Sequence, residues 1–370
     1  MSGLPTPPLR SQLPSPEFWS GRRVFVTGHT GFKGSWLVLW LHCLGARVAG
    51  YALTPPSTPN LFTVARIADG MEFDRRGDIR DAGTLKSAIA EFRPDVVFHL
   101  AAQPLVLRSY EDPVETFAVN VMGTVNLLES VRERACAVVN VTTDKCYDNQ
   151  GWLWGYRENE PLGGHDPYSS SKACAELVTA AYRQSFFSVA SDTHNSVPVA
   201  TARAGNVVGG GDWAENRLIP DAIRSFEKGN PVELRYPNAV RPWQHVLEPL
   251  CGYLLLAEKL STDGSAFAEA WNFGPADGSA EPVWRVVERL VRCWGEESRW
   301  VMEEQPRPHE APQLKLDSSK AAARLGWMPR WSLDRMLEET VAWHRSFRAG
   351  SDMRDVMRRQ IGLYTTDDGA

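Results

Sequence analysis

Short apolar runs alternate with amphipathic stretches over the first 200 residues of the chain. Each run is apolar at nearly every position, and the runs lie at 23–27, 47–53, 95–100, 137–141 and 199–203. Continuous apolar runs are typical of parallel strands that helices cover on both faces. Between the runs, apolar residues such as Phe117, Val121 and Val125 recur at helical spacing. The pattern predicts an α/β fold with a Rossmann-like, doubly wound parallel sheet.

The alternation ends at about residue 206, where glycines and prolines divide the chain into short elements. We predict a sheet domain over 18–205 and a smaller C-terminal lobe over most of 206–350. The segment near 271–274 is a candidate to return to the large sheet. Residues 1–17, rich in Pro and Ser, are predicted to be a disordered tail, and 351–370 a C-terminal tail.

Composition narrows the classes of function. The 370 residues carry a net charge of −5, with 43% hydrophobic and 23% charged residues, as in an ordinary globular protein. This balance predicts no nucleic-acid partner and no binding to an anionic membrane surface. The six cysteines are scattered without a C-x-x-C pair, which argues against disulfides or a metal site and favours the cytoplasm. No uninterrupted run of ~18 apolar residues is present, so we expect no membrane span.

A glycine-rich turn follows the first predicted strand. Gly28, Gly31 and Gly34 form G-x-x-G-x-x-G between that strand and a predicted helix. Glycines in this context permit a tight turn and close approach of the backbone to a pyrophosphate at a helix N-terminus. We therefore predict a dinucleotide cofactor at this turn and a nucleotide-binding role for the sheet domain. The residues between the glycines are also predicted contacts: Thr30, Phe32 and Lys33.

The cofactor is predicted to be NAD. An acid for the ribose 2′-hydroxyl is missing after the second strand, at 51–54, and no Arg there favours a 2′-phosphate. Asp78 with Ile79 is a candidate adenine contact, and a solvated turn acid is the alternative. At the end of the strand over 95–100, four residues are expected to run along the cofactor: Leu100, Ala101, Ala102 and Gln103.

Tyr168 and Lys172 lie four residues apart, so a helix would place them on one face. A free Tyr has a pKa of about 10, too high for a base near neutral pH. A neighbouring ammonium and the positive nicotinamide would favour the phenolate. Tyr168 is therefore our candidate base for a sugar hydroxyl, and Lys172 is expected to lower the pKa of Tyr168 and hold the nicotinamide ribose. Thr143, at an earlier strand end, would hydrogen-bond the same hydroxyl; the alternative is a surface helix with an incidental Tyr.

These motifs together resemble the extended short-chain dehydrogenases/reductases of the nucleotide-sugar 4,6-dehydratase type. The resemblance covers the chain from Phe18 to about Trp343. Three segments, at 142–147, 161–172 and 209–213, are similar to the branch that acts on CDP-glucose. Many relatives that act on dTDP-glucose or GDP-mannose carry Thr-Asp-Glu where this chain has Thr-Asp-Lys at 143–145.

The resemblance implies a sequence of reactions on a nucleotide sugar. Oxidation at C4 acidifies the C5 hydrogen, water leaves across C5 and C6, and the hydride returns to C6. Asp144 is the candidate acid for the departing hydroxyl and must therefore hold a proton. Lys145 is the candidate C5 base, and the alternative is a charged Lys145 that only stabilises an enolate oxygen. The 4-keto-6-deoxy product would feed deoxysugars of surface polysaccharides such as the O-antigen of lipopolysaccharide.

Substrate binding needs cations for a diphosphate. By resemblance, the segments that carry Arg217 and Arg241 face the nucleotide sugar in the smaller lobe, with Arg235 and Asn206 as helpers. A solvated surface cation is the alternative for each arginine. The resemblance also implies a homo-oligomer, a dimer or tetramer, packed through the helices near 112–134 and 166–187.

Three other functions remain open, and the first is another nucleotide-sugar 4,6-dehydratase of the same fold. A nucleotide-sugar 4-epimerase or decarboxylase could use the same fold, but an epimerase needs no acid and base for elimination, so Asp144 and Lys145 speak against it. A non-enzymatic NAD-binding sensor or scaffold would be expected to lose Thr143, Tyr168 or Lys172, and all three are present.

Overall fold

The structure is a computed structural model that describes residues 11–134, 136–187, 197–276, 280–295, 299–302 and 313–367. Within these ranges the strands are β1 (Arg23–Thr27), β2 (Arg47–Ala52), β3 (Phe73–Arg76), β4 (Val96–His99), β5 (Ala137–Val141), β6 (Val199–Arg203), β7 (Val207–Val208), β8 (Val232–Leu234), β9 (Val240–Pro242), β10 (Gln244–His245), β11 (Ala270–Asn272), β12 (Ala280–Pro282) and β13 (Trp300–Met302).

The helices begin and end as follows: α1 (Pro16–Trp19), α2 (Phe32–Cys43), α3 (Leu61–Val64), α4 (Ala82–Phe92), α5 (Val106–Glu111), α6 (Pro113–Phe117), α7 (Gly123–Val131), α8 (Pro167–Ser185), α9 (Leu218–Glu227), α10 (Leu247–Asp263), α11 (Val283–Trp294), α12 (Ser319–Leu325), α13 (Leu333–Arg348) and α14 (Met353–Thr366). A π-helical turn over Ala118–Met122 joins α6 to α7. Among the described helices, none combines the length and the apolar character that crossing a membrane requires.

Seven strands form one parallel sheet in the order β11-β6-β5-β4-β1-β2-β3. Thr27 of β1 lies beside Tyr51 of β2 and His99 of β4, and His99 lies beside Asn140 of β5, so the carboxyl ends of these strands are level. This arrangement confirms the predicted Rossmann-like, doubly wound sheet. The segment suggested near 271–274 joins the sheet as β11, which pairs with β6.

Alternate residues of β1 face two separate apolar cores. Val24 and Val26 pack in a core with α2, α10 and α14, whereas Phe25 packs on the other face with α4 and α7. Helix α2 is buried along its length from Gly34 to Leu41 because the sheet covers one side and α10 and α14 cover the other.

The smaller lobe has its own core between α9, α11 and α13, with buried residues that include Ile223, Leu290 and Leu337. Part of the segment predicted for this lobe belongs to the large core instead. Helix α10 is buried along most of its length and packs on the sheet. Strand β11 and the segment 321–331 contribute buried residues to the same core. The two cores are therefore interleaved along the chain after residue 206.

Both chain ends that the sequence predicts to be tails contain ordered structure. Residues 1–10 lie outside the described residues, but Gln12 N donates a hydrogen bond to Gly326 O at 2.8 Å, and the Ser15 side chain caps α1. At the other end, α14 packs on α2 through buried Met357 and Tyr364. Within the predicted C-terminal tail, Met353–Thr366 is instead a packed helix, because its apolar residues recur at helical spacing and face the large core.

The buried carboxylate of Glu248 connects α14 to α10. It accepts hydrogen bonds from Tyr364 Oη at 2.8 Å, Trp331 N at 2.7 Å and Arg330 N at 3.0 Å. Burial raises the pKa of Glu248 to about 7. The carboxylate therefore depends on all three donors for its stability in the core.

We expect Tyr364→Phe to lower the free energy of unfolding by about 1–3 kcal/mol, because it removes one donor from this buried acceptor. Urea denaturation followed by circular dichroism measures the change. Leu363→Ala, which truncates an exposed side chain on the same helix, is the control and should change the stability by roughly 0.5 kcal/mol or less. Equal stability of Tyr364→Phe and the wild type would show that this hydrogen bond does not hold α14.

Candidate active site

The carboxyl ends of β1, β4 and β5 meet at one edge of the sheet. Thr27, the last residue of β1, has a buried hydroxyl that accepts hydrogen bonds from Leu100 N and Ala101 N, both at 3.2 Å. The same hydroxyl lies 2.7 Å from His99 Nδ1. These bonds fix the strand ends side by side at the edge where open α/β sheets bind ligands.

The glycine turn after β1 has the shape that a pyrophosphate requires. Gly28 has a φ of +73°, and a Cβ atom there would lie 2.7 Å from Ala101 N. Gly31 caps α2 without a side chain, so no side-chain oxygen accepts from the N–H groups of the first helical turn. A Cβ on Gly34 would overlap the backbone of Gly28. The turn therefore leaves a bare backbone cradle at a helix N-terminus, which fits a dinucleotide.

The other predicted cofactor contacts differ in whether their side chains already bond to other parts of the protein. Thr30 Oγ1 donates to Leu53 O at 3.0 Å, and Phe32 and Lys33 form the first turn of α2. The Asp78 carboxylate pairs with Arg80 at 2.6 Å, and Ile79 is buried against Gly123.

Of the four residues after β4, Leu100 and Ala101 lie against the turn at Gly28 through their backbone, and Ala102 follows them in the chain as a half-buried residue. The Gln103 amide donates to Thr116 Oγ1 at 2.9 Å and to Leu105 O at 3.1 Å, and accepts from Leu105 N at 2.6 Å. The Gln103 backbone is also engaged, because its N–H donates to Asn120 Oδ1 at 2.9 Å and its C=O accepts from Asn120 Nδ2 at 3.2 Å. These bonds hold Gln103 within the protein and leave it little capacity for a ligand.

The chain turns sharply after β5 and places Thr143, Asp144 and Lys145 at the sheet edge, with Thr143 and Asp144 buried and Lys145 half-buried. Thr143 caps a 3₁₀ turn over Asp144–Cys146, and its Oγ1 donates to Asp144 Oδ1 at 3.0 Å. Asp144 is buried, and its Oδ2 has no hydrogen-bond partner among the described residues. Asp144 fits there because its neighbour is Gly205, where any Cβ atom would overlap the carboxylate.

Helix α8 delivers Tyr168 and Lys172 to the same edge. Asp166 caps its N-terminus, Pro167 occupies the first turn, and Tyr168 N donates to Ser109 Oγ at 3.1 Å. Both Tyr168 and Lys172 are buried, and Lys172 Nζ donates to Val141 O at 3.2 Å. The spacing of four residues places the two side chains on one helical face, as the sequence predicts.

The pKa of Tyr168 departs from the sequence expectation. Burial raises the pKa of Tyr168 to about 12; the Thr143 hydroxyl acts against this rise, and the Asp144 charge adds to it. Burial also lowers the pKa of Lys172 to about 8, and its ammonium bonds to a backbone carbonyl rather than to the phenol. Lys172 alone therefore does not produce a phenolate, because desolvation of the phenol outweighs the attraction of the ammonium.

Further charges surround these groups. Burial lowers the pKa of Lys33 to about 7, with Arg217 and Lys172 acting in the same direction and Asp144 and Asp212 against it. Arg217 Nη1 pairs with Asp212 Oδ2 at 2.8 Å. Lys33 and Arg217 thus share one electrostatic environment with the residues predicted for catalysis.

The remaining predicted substrate contacts lie on the lobe side. Asn206 has a φ of +40°, and its buried Nδ2 has no partner among the described residues. Arg235 Nη2 donates to Asn216 Oδ1 at 2.7 Å, beside Arg217. Arg241 is buried on β9, and its Nη1 donates to Val240 O at 2.9 Å, so it is not the solvated surface cation that the sequence left open.

Three charged residues of this region are absent from the sequence prediction. Asp212 pairs with Arg217, and Glu176 pairs with Arg203 directly behind the turn that carries Asp144. Glu176 lies four residues after Lys172, so helical spacing could have indicated it. Nothing in the sequence pattern joins Arg203, at the end of β6, to Glu176.

The described residues contain no group of three His, Cys, Asp or Glu that could hold a metal ion.

A nucleotide cradle beside a buried phenol, ammonium and hydroxyl defines an extended short-chain dehydrogenase/reductase. Comparison with known proteins narrows this class. The family model described as GDP-mannose 4,6 dehydratase matches residues 25–340. The chain therefore belongs to this family of nucleotide-sugar dehydratases. A curated CDP-glucose 4,6-dehydratase from Salmonella typhimurium is 56% identical over 349 residues, which cover 94% of this chain and 97% of the relative.

Solved structures share the fold over most of the chain. The dTDP-glucose 4,6-dehydratase DesIV from Streptomyces venezuelae, solved with NAD, is 27% identical with a TM-score of 0.75 and covers 89% of this chain and 99% of its own. The UDP-glucose 4-epimerase from Thermus thermophilus, also solved with NAD, is 27% identical with a TM-score of 0.74 and covers 87% and 99%. Dehydratases and epimerases therefore share this fold, and the site residues must distinguish between them.

Proposed function

We propose that the protein is a CDP-glucose 4,6-dehydratase, a hydro-lyase that converts CDP-D-glucose to CDP-4-dehydro-6-deoxy-D-glucose and water. The observation that carries this proposal is the buried turn at 143–145, which sets an unpaired carboxyl oxygen of Asp144 beside the Thr143 hydroxyl and Tyr168. The 56% identity to a CDP-glucose 4,6-dehydratase supports the choice of nucleotide.

NAD is the proposed cofactor, and bound at the glycine turn it would supply a hydride acceptor for C4 and a hydride donor for C6. The cradle of Gly28, Gly31 and Gly34 would hold its pyrophosphate, because only glycine leaves the backbone accessible there. Lys172 would hold the nicotinamide ribose. The positive charge that Tyr168 needs in addition to Lys172 fits an oxidised nicotinamide next to the phenol.

Tyr168 of α8 and the residues of the turn would carry the proton transfers. Tyr168 accepts the proton of the 4-hydroxyl while Thr143 hydrogen-bonds the same oxygen. Asp144 then donates a proton to the departing 6-hydroxyl, and its burial excludes the water that would compete for that proton. Lys145, half-buried and next in the chain, is the proposed C5 base, and a proton would return to C5 when the hydride returns to C6. Stabilisation of an enolate oxygen is the alternative role of Lys145.

Cations at the lobe side would bind the substrate diphosphate. Arg217 is proposed for this role together with Arg241 and Arg235, and Asn206 offers a buried amide donor without a partner among the described residues. A 4-epimerase would need the same cofactor and cations. It would have no use for a buried acid and a lysine at the turn, so Asp144 and Lys145 favour elimination over epimerisation.

We expect CDP-glucose to be converted in the presence of NAD to a product with the alkaline absorbance of a 4-keto-6-deoxy sugar. The assay compares CDP-glucose with dTDP-glucose, UDP-glucose and GDP-mannose, each with and without added NAD. Turnover of dTDP-glucose alone would overturn the nucleotide assignment. Formation of a CDP-hexose epimer without loss of water would instead identify an epimerase.

Asp144→Asn should slow product formation by roughly 10²–10⁴-fold, because the amide cannot donate the acid proton to the leaving hydroxyl.

Lys145→Ala should slow exchange of the C5 hydrogen with deuterated solvent, measured by mass spectrometry. Lys86→Ala removes an exposed lysine of α4 and serves as the control for loss of charge alone. Exchange at the wild-type rate in Lys145→Ala would end the base assignment and leave the enolate-stabilising role.

We also propose a homo-oligomer built on a dimer. Helices α6 to α8 lie side by side and expose Val114, Phe117, Met122 and Leu177 to solvent. Val114 is 77% exposed and Leu177 is 58% exposed, which is unfavourable for apolar side chains that remain in water. A second copy of the chain would cover this face in an isologous contact.

Leu177→Glu should shift the oligomer toward a monomer, because it places charge in the apolar contact. Sedimentation velocity over a range of protein concentrations measures the shift. Leu153→Glu alters an exposed apolar residue in a different part of the structure and should leave the oligomer intact. A wild-type protein that sediments as a monomer at all concentrations would contradict the proposal.

The cytoplasmic location and the role in surface-polysaccharide deoxysugars stay predictions.

A further inference from the structure

A buried ion pair lies directly behind the catalytic turn. Glu176 on α8 and Arg203 at the end of β6 are both 3% exposed, and Arg203 Nη2 lies 2.8 Å from Glu176 Oε2. The same carboxylate accepts hydrogen bonds from Thr142 Oγ1 at 2.5 Å and from Thr201 Oγ1 at 2.7 Å. The Arg203 guanidinium can only donate, and both hydroxyls donate here, so the site favours an ionised carboxylate. Although burial acts to raise it, the pKa of Glu176 stays below its ordinary value because Arg203 and these donors favour the anion.

The arginine of this pair reaches the other end of the turn. Arg203 Nη1 donates to Tyr147 Oη at 2.7 Å, and Tyr147 Oη donates to Asn272 Oδ1 of β11 at 2.7 Å. The guanidinium also lies 4.8 Å from the centroid of the Tyr147 ring. Thr142 therefore anchors the start of the turn and Tyr147 anchors its end, and both anchors depend on one ion pair.

Glu176 also acts on Lys172. The two residues lie one helical turn apart on α8, and the carboxylate favours the charged form of Lys172 against the effect of burial. The other groups that face Lys172 do not supply this charge. The His99 imidazole of β4 is neutral because burial lowers its pKa to about 3. The Cys146 thiol of the 3₁₀ turn is neutral because burial raises its pKa. Lys33 of α2, whose pKa is about 7, carries either a positive charge or none, so it cannot supply a negative one.

We propose that Glu176 and Arg203 are positioning residues of the dehydratase: together they fix both ends of the turn that carries Asp144 and Lys145, and Glu176 is the counter-charge of the Lys172 ammonium. Both side chains are only 3% exposed, so neither is expected to contact the substrate or the cofactor. The kinetic part of this inference rests on the proposed function, whereas the effect on Lys172 does not.

Glu176→Gln tests the counter-charge in the protein without ligand. The amide keeps the size of the side chain but removes its charge, so Lys172 should lose its proton at a pH lower by roughly one unit. Trace acetylation between about pH 6 and 10, with mass spectrometry of the peptide that carries Lys172, measures the midpoint. Thr201→Val is the matched control, because it removes one hydrogen bond to Glu176 and keeps the charge.

Thr201→Val should be less stable than the wild type but keep the wild-type midpoint of Lys172. Glu176→Asp, which restores the charge with a shorter side chain, should recover most of the midpoint even if its melting temperature falls. A wild-type midpoint in folded Glu176→Gln would overturn the counter-charge role, whatever the enzyme turns over. An equal shift in Thr201→Val would also overturn it, because packing rather than charge would then be responsible.

Tyr147→Phe tests the anchoring role separately. The substitution keeps the ring and removes the hydroxyl that lies between Arg203 and Asn272. We expect kcat for CDP-glucose to fall about 10-fold or more while KM changes little. The reason is that a small displacement of the catalytic Asp144 slows the reaction more than it weakens substrate binding. The pH profile of Tyr147→Phe should match the wild type, and that of Glu176→Gln should lose activity at a lower alkaline pH. Wild-type kcat in Tyr147→Phe would refute the anchoring role. An inactive wild type would refute the proposed function and leave the labelling result standing.

Discussion

The structure keeps several charges out of water at the carboxyl edge of its sheet, and every neighbouring element contributes to their stability. Glu176 and Arg203 are almost fully buried, and Lys172, on the same helix as Glu176, is also buried. A buried charge is costly unless hydrogen bonds and an opposite charge replace its hydration. Val141 of β5 accepts from Lys172, Thr201 of β6 donates to Glu176, and Glu176 of α8 pairs with Arg203. The fold and the charges therefore stabilise one another, since neither arrangement is favourable without the other.

Close approach of the backbone is the second condition for this edge. The glycine turn after β1 contacts the backbone after β4, and Gly205 makes room for the Asp144 carboxylate. Side chains at Gly28 or Gly205 would separate the strand ends, and the groups that act on one sugar would lose their common pocket. The shared hydroxyl of Thr27, which accepts from two backbone N–H groups, holds the same strands at the distance that the glycines permit.

The sequence predicts the large sheet well because its strands are short apolar runs with glycine or proline at their ends. The predicted runs at 23–27, 137–141 and 199–203 match β1, β5 and β6 residue for residue. The local spacing of Tyr168 and Lys172 also places both on one face of α8. The sequence does not reveal contacts that depend on packing between distant segments. The pairing of Glu176 with Arg203 and the docking of α14 on α2 are of this kind, as is the burial that keeps the pKa of Tyr168 high.

Local charge, rather than net charge, determines what the site can bind. The chain carries −5 in total, yet Lys33, Lys172 and Arg217 act on one another at the sheet edge, with Asp144 and Asp212 as the opposing carboxylates. In a buried site these interactions are screened far less than on the surface, so a few cations suffice to attract a diphosphate. Burial lowers the pKa of Lys33 to about 7, and the neighbouring Arg217 and Lys172 act in the same direction. A diphosphate beside these groups would favour the charged form of Lys33.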